Sequence, residues 1–177
     1  MIPALVNTTV GETPRLILRA PRLEDFEPFA AFCQSDRAAF VRQDDFDRAK
    51  AWRAFGHIVG HWVLRGFGLF VIVQKSTGRA IGTVGPWFPE GWPEREIGWA
   101  IWSAEAEGKG YAFEAAKAAR DHVYRDLGWK TAVSYIAPTN ARSIALAERL
   151  GAVRDDAAAY PGDKPCLVYR HQKPEWM

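Results

Sequence analysis

Between residues 94 and 127 the chain changes its period in mid-course. Glu94 to Trp102 (EREIGWAIW) has the apolar, alternating look of a strand. It runs on through Gly108-Lys109-Gly110 into a segment where Ala112, Ala115, Ala116, Ala119, Val123 and Leu127 recur every three or four residues. A strand that turns through two glycines into an alanine-rich helix has few structural solutions. Glycine lets the backbone curl tightly and approach another group, and alanine lets a helix lie close against a sheet. The first N–H groups of such a helix point back toward the turn. With the helix dipole they make a site for an anion, most often phosphate. A tight turn without a ligand fits the same residues. A dinucleotide fingerprint needs a third glycine where Phe113 stands, and a P-loop needs Ser or Thr where Gly110 stands.

The flanking pattern predicts an α+β fold. Residues 15–20 read as a first strand stopped by Pro21, and residues 22–34 and about 45–65 as helices. Gly56 and Gly60 mark a candidate break in the second helix. Strands are expected at 68–74 and 80–87, joined at Ser76-Thr77-Gly78. An irregular loop with Pro86, Pro89, Gly91 and Pro93 leads into the strand at 94–102. A strand at 131–137, a helix at 140–150 stopped by Gly151, and strands at about 152–157 and 165–171 complete the order. The expectation is one domain over residues 1–177, with a mixed, mostly antiparallel sheet of about seven strands flanked by helices. No repeat or linker divides it.

Charge excludes some partners. The 23 basic and 21 acidic residues are well mixed, which leaves no basic stripe for nucleic acid. No run approaches the roughly 18 apolar residues of a membrane span, and Met1 to Gly11 lacks the pattern of a signal peptide. Cys33 and Cys166 form no CxxC pair and read as reduced thiols of a cytoplasmic protein.

The stretches Glu96–Trp102 and Glu107–Ala115 (EIGWAIW and EGKGYAFEA) together resemble the acetyl-CoA motif of the GCN5-related N-acetyltransferase (GNAT) superfamily. Asn140-Ala141-Arg142-Ser143, with Leu150-Gly151-Ala152, is similar to the second motif of the RimJ/RimL-like branch, the ribosomal-protein alanine acetyltransferases. The opening Thr13-Pro14-Arg15-Leu16-Ile17-Leu18-Arg19 is typical of that branch too. The resemblance covers about residues 13–171. It implies an acetyl-CoA donor whose pyrophosphate is held by backbone amides of Gly108, Lys109, Gly110, Tyr111 and Ala112. It implies a sheet splayed between the strands at about 94–102 and 130–137, where Ala100, Ile101 and Trp102 meet the pantetheine arm and acetyl group. Three departures stand out. Glu107 occupies a position where the family often has Gln or Arg, so it must face solvent or pair with a cation such as Lys109. The stretch from Trp102 to Glu107 is about one residue long. The late helix lacks the tyrosine that many members use as a proton donor.

Acetyl transfer to an amine requires removal of a proton from the ammonium, stabilisation of an oxyanion and a route for the leaving thiolate. Glu96, at the start of the central strand, is the candidate base, directly or through water. A solvated strand-end glutamate is the plainer alternative. Asn140 suits a helix N-cap and, by resemblance, a cofactor contact. Ser143 lies one turn later and, by resemblance, reaches the sulfur or pantetheine; as an acid it is weaker. Trp87, Phe88 and Trp92 in the irregular loop, and Tyr160 in its Pro-Gly turn, are candidates for an acceptor wall. Asp44, Asp45 and Asp47 either attract a cationic acceptor or open a helix. His57 and His61 have a metal-compatible spacing but no third ligand, which favours structural roles. No metal is expected. The acceptor is a primary amine, small or a protein N-terminus, and the chain a monomer or homodimer. A different acyl donor, a non-catalytic CoA-sensing role, or a purely structural domain remain the alternatives.

Overall fold

The computed structural model describes residues 4–41 and 46–174. Its strands are β1 (Gly11–Glu12), β2 (Leu16–Arg19), β3 (Phe70–Gln74), β4 (Ala80–Trp87), β5 (Glu96–Ile101), β6 (Val133–Ile136), β7 (Val153–Arg154) and β8 (Leu167–Arg170). The helices are α1 (Phe26–Cys33), α2 (Arg48–Arg65), α3 (Tyr111–Arg125) and α4 (Ala141–Arg149). The eight strands form one sheet in the order β1-β2-β3-β4-β5-β6-β8-β7. The α+β expectation holds, and the short β1 is the strand it did not include. Every pairing is antiparallel except β5 with β6. Those two meet in parallel through one register pair, Glu96 with Val133, and then separate.

Successive strand residues face opposite sides of the sheet, and both sides are covered. On one side α3 lays Ala115, Ala116 and Ala119, all at 0% exposure, against Leu16, Phe70, Ile72, Val84 and Ile97. Alanine has no bulk to hold the helix off, so helix and sheet come close. On the other side α1 and α2 pack Phe29, Phe55 and Ile58 against Val71, Val73, Ala100 and Trp102. The central strands are therefore apolar on both faces, as β3 (FVIVQ) already suggests.

Helix α2 begins at Asp47, whose side chain accepts the Lys50 N–H at 2.7 Å. It ends at Gly66, in the left-handed conformation at φ 75°. It runs unbroken through Gly56 and Gly60. Ala51, Phe55, Ile58 and Trp62 are buried along one face, and that burial outweighs the roughly 1 kcal/mol that each glycine costs in propensity.

Ahead of α1 sits a buried ion pair. Asp25 is 1% exposed. It accepts two hydrogen bonds from the Arg19 guanidinium at 2.7 and 2.9 Å and one from the Arg22 N–H at 2.8 Å. This fastens the end of β2 to the start of α1. Asp25→Ala leaves the Arg19 guanidinium with the Ala20 carbonyl at 3.1 Å and the exposed Glu24 carboxylate at 3.6 Å. The expected loss of stability is about 3 kcal/mol, read as a lower urea midpoint at unchanged slope. A shift below about 1 kcal/mol would show the pair to be dispensable.

Candidate active site

Where β5 and β6 separate, a cavity of about 400 Å³ opens between the two faces of the sheet. The backbone of β5 divides its polar groups by parity. The Trp102 N–H is spent on the Ile81 carbonyl at 2.8 Å, which puts Ala100 and Trp102 on the β4 side of the ladder. Ile97 instead offers its carbonyl to Ser134 Oγ at 2.6 Å, on the β6 side. Trp99 and Ile101 share the parity of Ile97 and turn their backbone groups toward the gap. This corrects the expectation that Ala100 and Trp102 present backbone groups to a pantetheine arm. Ala100 lines the cavity, and the Trp102 ring packs on Phe29 at 5.5 Å between centroids. The Ile101 and Trp102 carbonyls both receive the Arg37 guanidinium, at 3.3 and 3.2 Å.

Glu96 stands at the fork. Its parity with Ala100 and Trp102 puts the side chain on the α1/α2 face. The Trp92 indole N–H donates to its carboxylate at 2.7 Å, and the Tyr135 backbone N–H also points to it. Burial raises its pKa from 4.5 to about 7, with those two donors partly opposing the rise. The Tyr135 hydroxyl accepts the Glu94 N–H at 3.1 Å, and burial pushes its pKa up to about 12. It therefore stays neutral at any physiological pH.

The wall facing Glu96 is aromatic. Phe29 and Phe32 come from α1, Phe40 and Phe46 from the segment between α1 and α2, and Trp87 and Trp92 from the end of β4 and the loop after it. Trp87 stacks on His61 at 4.4 Å and 18°, with the His57 ring edge-on at 4.9 Å. His61 Nε2 accepts the Phe88 N–H at 3.0 Å, so its proton is on Nδ1, which donates to the Phe67 carbonyl at 2.7 Å. Burial lowers its pKa and keeps the ring neutral. With both nitrogens engaged, His61 is a packing histidine. No group of three potential metal ligands occurs among the described residues.

Two expected wall residues are not in the wall. Phe88 follows Trp87 and by alternation points the other way, under the guanidiniums of Arg65 at 5.2 Å and Arg95 at 6.0 Å. Tyr160 is 42% exposed and does not line the cavity. Asp47 is a helix cap, and Asp44 and Asp45 lie outside the described residues.

Below the fork, on the opposite face, is the glycine turn. Gly108 and Gly110 have φ of 72° and 79°, which side chains other than glycine's rarely allow. The hydrogen-bond ladder of α3 starts with Glu114 N–H to the Gly110 carbonyl at 3.1 Å. The N–H groups from Gly108 to Ala112 precede it and are open to an anion. The Tyr111 side chain is buried, with its hydroxyl accepting from Gln74 at 2.9 Å. It therefore offers the turn only its backbone. Glu107 is paired, though not with Lys109, which is exposed. Its carboxylate meets Arg37 at 2.7 Å and also Arg142 in the first turn of α4. Two guanidiniums outweigh one carboxylate, so the turn remains hospitable to phosphate. A short 3-10 turn, Ala104–Ala106, lies between Trp102 and Glu107.

Asn140 caps α4 through Oδ1, which accepts the Ser143 N–H at 3.2 Å. Ser143 Oγ accepts the Trp99 indole N–H at 3.1 Å, which leaves its own proton to donate. Both residues line the cavity. Sequence reasoning missed Phe29 and Phe32 as walls, Arg37 as partner of Glu107, and a buried pair behind β6. In that pair Ser134 Oγ lies 2.8 Å from His171 Nε2, with burial lowering the His171 pKa to about 4. The helical spacing of Phe29 was visible, but nothing local says which sheet face it covers.

Residues 15–153 match the family model described as an acetyltransferase (GNAT) domain. The chain belongs to the GNAT acetyltransferase family. Acyl transfer from an acyl-CoA to an acceptor is this family's chemistry, and the chain is an N-acetyltransferase. It is 35% identical to an acetyltransferase from Agrobacterium tumefaciens over 97% of this chain and 99% of that one, with a TM-score of 0.86. It is 27% identical to a Bordetella pertussis chain described as a GnaT-family acetyltransferase, over 93% and 99%, at a TM-score of 0.76. The RimL ribosomal L7/L12 α-N-protein acetyltransferase, solved in complex with coenzyme A, shares the fold at 16% identity over 92% and 97%, with a TM-score of 0.71. No helix among the described residues is long and apolar enough to cross a membrane.

His61 gives this GNAT site a structural test. His61→Ala leaves the Phe88 N–H and Phe67 carbonyl unpaired and removes the ring beneath Trp87. The expected cost is about 3 kcal/mol, read by urea denaturation. EDTA should leave the wild-type Tm unchanged. A chelator-dependent Tm would overturn the packing role.

Proposed function

We propose that this chain is a cytoplasmic, single-domain acetyl-CoA-dependent enzyme that transfers acetyl directly to a primary amine, either a small amine or a peptide N-terminus. The observation that carries the proposal is Glu96: a carboxyl group with a pKa near 7, at the fork where β5 and β6 separate and lining the cavity there. A base is most effective when its pKa lies near the working pH.

Acetyl-CoA supplies the activated carbonyl as a thioester. The backbone amides of Gly108, Lys109, Gly110, Tyr111 and Ala112 are suited to its phosphates, with Arg37 and Arg142 offsetting Glu107. The backbone groups of Trp99, the Ile101 N–H, and the side chains of Asn140 and Ser143 are suited to the arm that enters the gap from the α3/α4 side. The amine approaches from the α1/α2 side along Trp87 and Trp92, which can face its ammonium with their π surfaces. Glu96, ionised above pH 7, takes the ammonium proton. The Ser143 hydroxyl, polarised by the Trp99 N–H it accepts, keeps its own proton for the departing sulfur.

Calorimetric titration with acetyl-CoA, followed by thiol release across an amine panel, tests the proposal. No binding at high micromolar ligand would sink it. Glu96→Gln should lower kcat/KM by roughly 10²–10⁴ at neutral pH, and an unchanged rate would remove Glu96 from the mechanism. The acid limb of kcat/KM should lie near pH 7. Trp92→Phe deletes a donor to the carboxylate, so the limb should move upward; a downward move would refute the hydrogen bond's role.

The same group affects stability with a defined sign. Its folded pKa of about 7 exceeds the ordinary 4.5, so stability is lost as pH rises from 4.5 to 7 and the unfolded chain ionises first. Glu96→Gln should therefore be more stable than wild type above pH 7, by roughly 3 kcal/mol at most, and equal to it near pH 4. Equal stability at both pH values would show that burial does not perturb this carboxyl.

A further inference from the structure

The acceptor side of the cavity is uneven in its chemistry. Its surface is built from Phe29, Phe32, Phe40, Phe46, Trp87 and Trp92. Among the described lining residues there is no lysine, arginine or aspartate, and Glu96 is the one carboxylate; His57 is the one other titratable nitrogen base. The nearest arginine of the fork, Arg37, is committed to Glu107 and to two backbone carbonyls. Among the described lining residues, a second positive charge on the acceptor would find no carboxylate beyond Glu96, and a carboxylate would find no lysine or arginine. Burying either without a partner is costly. The volume of about 400 Å³ is near the small end for ligand pockets, about 300–1,000 Å³. It also includes the gap beside Ser143, so the share left for the acceptor holds about one ring and a short linker.

We infer that the acceptor is a primary monoamine with one apolar substituent of aromatic or branched-aliphatic size and no second charge close to the amine. This rests on the transferase proposal above and names its substrate class. A free aryl-alkyl or alkyl amine has this chemistry, and so does a peptide that begins with a large apolar residue. Each methylene buried against the aromatic wall is worth about fourfold, so the discrimination accumulates along a homologous series. Polyamines, aminoglycosides and free amino acids all violate it.

The test compares ethylamine, butylamine, 2-phenylethylamine, phenylalanine and spermidine, with peptide amides beginning Phe-Ala or Asp-Ala. Both kcat/KM and calorimetric binding to the CoA-loaded protein are measured. The expected result is a rise from ethylamine to 2-phenylethylamine, with 2-phenylethylamine or the Phe-initiated peptide at least tenfold above spermidine, phenylalanine and the Asp-initiated peptide. Whichever of the two leads identifies the source of the amine. Phe40 is 51% exposed at the cavity mouth, so Phe40→Glu should fold and should narrow the gap between 2-phenylethylamine and spermidine. Turnover of spermidine or phenylalanine at rates equal to 2-phenylethylamine would overturn the inference and leave the transferase proposal standing. Tenfold tighter binding of 2-phenylethylamine without turnover of any amine would uphold the pocket assignment and sink the transferase proposal. Neither turnover nor apolar preference in binding would overturn both.

Discussion

The parting of β5 from β6 is the constraint on which the rest of this structure depends. A parallel pair would ordinarily continue for several residues. Here it ends after Glu96 meets Val133, because each strand has a better partner on its other side. β5 keeps six register pairs with β4, and β6 takes four with β8. The Tyr135 N–H, which would have continued the ladder, meets the Glu96 carboxylate instead. The cut end of the ladder is thus satisfied by a side chain, and that side chain is the candidate base. Parity then distributes the chemistry. Glu96 faces α1 and α2 with Ala100 and Trp102, whereas Trp99 faces α4 and meets Ser143. One fork in a sheet gives the proposed donor and acceptor sides without a second domain.

A second junction keeps the two sides in register. Arg37 follows α1, on the acceptor side, yet its guanidinium closes the carbonyl end of β5 and pairs with Glu107 at the glycine turn. Arg142 reaches the same carboxylate from α4. Two arginines from separate elements therefore converge on the Glu107 carboxylate. Across the turn, Glu114 gathers the Thr13 hydroxyl, the Arg15 N–H and the Arg15 side chain, and Arg15 in turn holds the Lys109 carbonyl at 2.9 Å. The loop that offers amides to phosphate is braced on both flanks, which suits preorganised binding of a large anion.

Much of this was legible in the sequence because it is local. Alternation marked the strands, the three-and-four spacing marked the helices, and Gly108 and Gly110 marked a turn whose two left-handed residues demand glycine. Glu96 was legible by position, since it opens the strand that leads to the turn. What was not legible depends on contacts between distant residues. Nothing near Glu107 announces Arg37, seventy residues away. Trp87 and Phe88 are equally aromatic, and only the facing of β4 sends one into the cavity and the other under Arg65. Ala100, Ile101 and Trp102 were all expected to offer backbone groups, yet the Trp102 to Ile81 bond sets a parity that turns only Ile101, with Trp99, toward the gap. Gly56 and Gly60 suggested a break that the buried face of α2 overrides.

The aromatic wall ties substrate choice to base strength. Burial is the largest influence on Glu96, and it raises the pKa to about 7. The residues that exclude water from the carboxylate are the same ones that leave an acceptor's substituent only apolar contact. A polar or charged side chain added to that wall would broaden the acceptors it tolerates. It would also bring water or a counter-charge toward Glu96 and return its pKa toward 4.5. Proton transfer from an ammonium to so weak a base is less favourable, by about 1.4 kcal/mol for each pKa unit lost. A member of this fold that serves polar amines must therefore obtain its basicity by other means than a glutamate set among apolar side chains. In this chain, the proposed apolar selectivity and the raised pKa of Glu96 rest on the same packing.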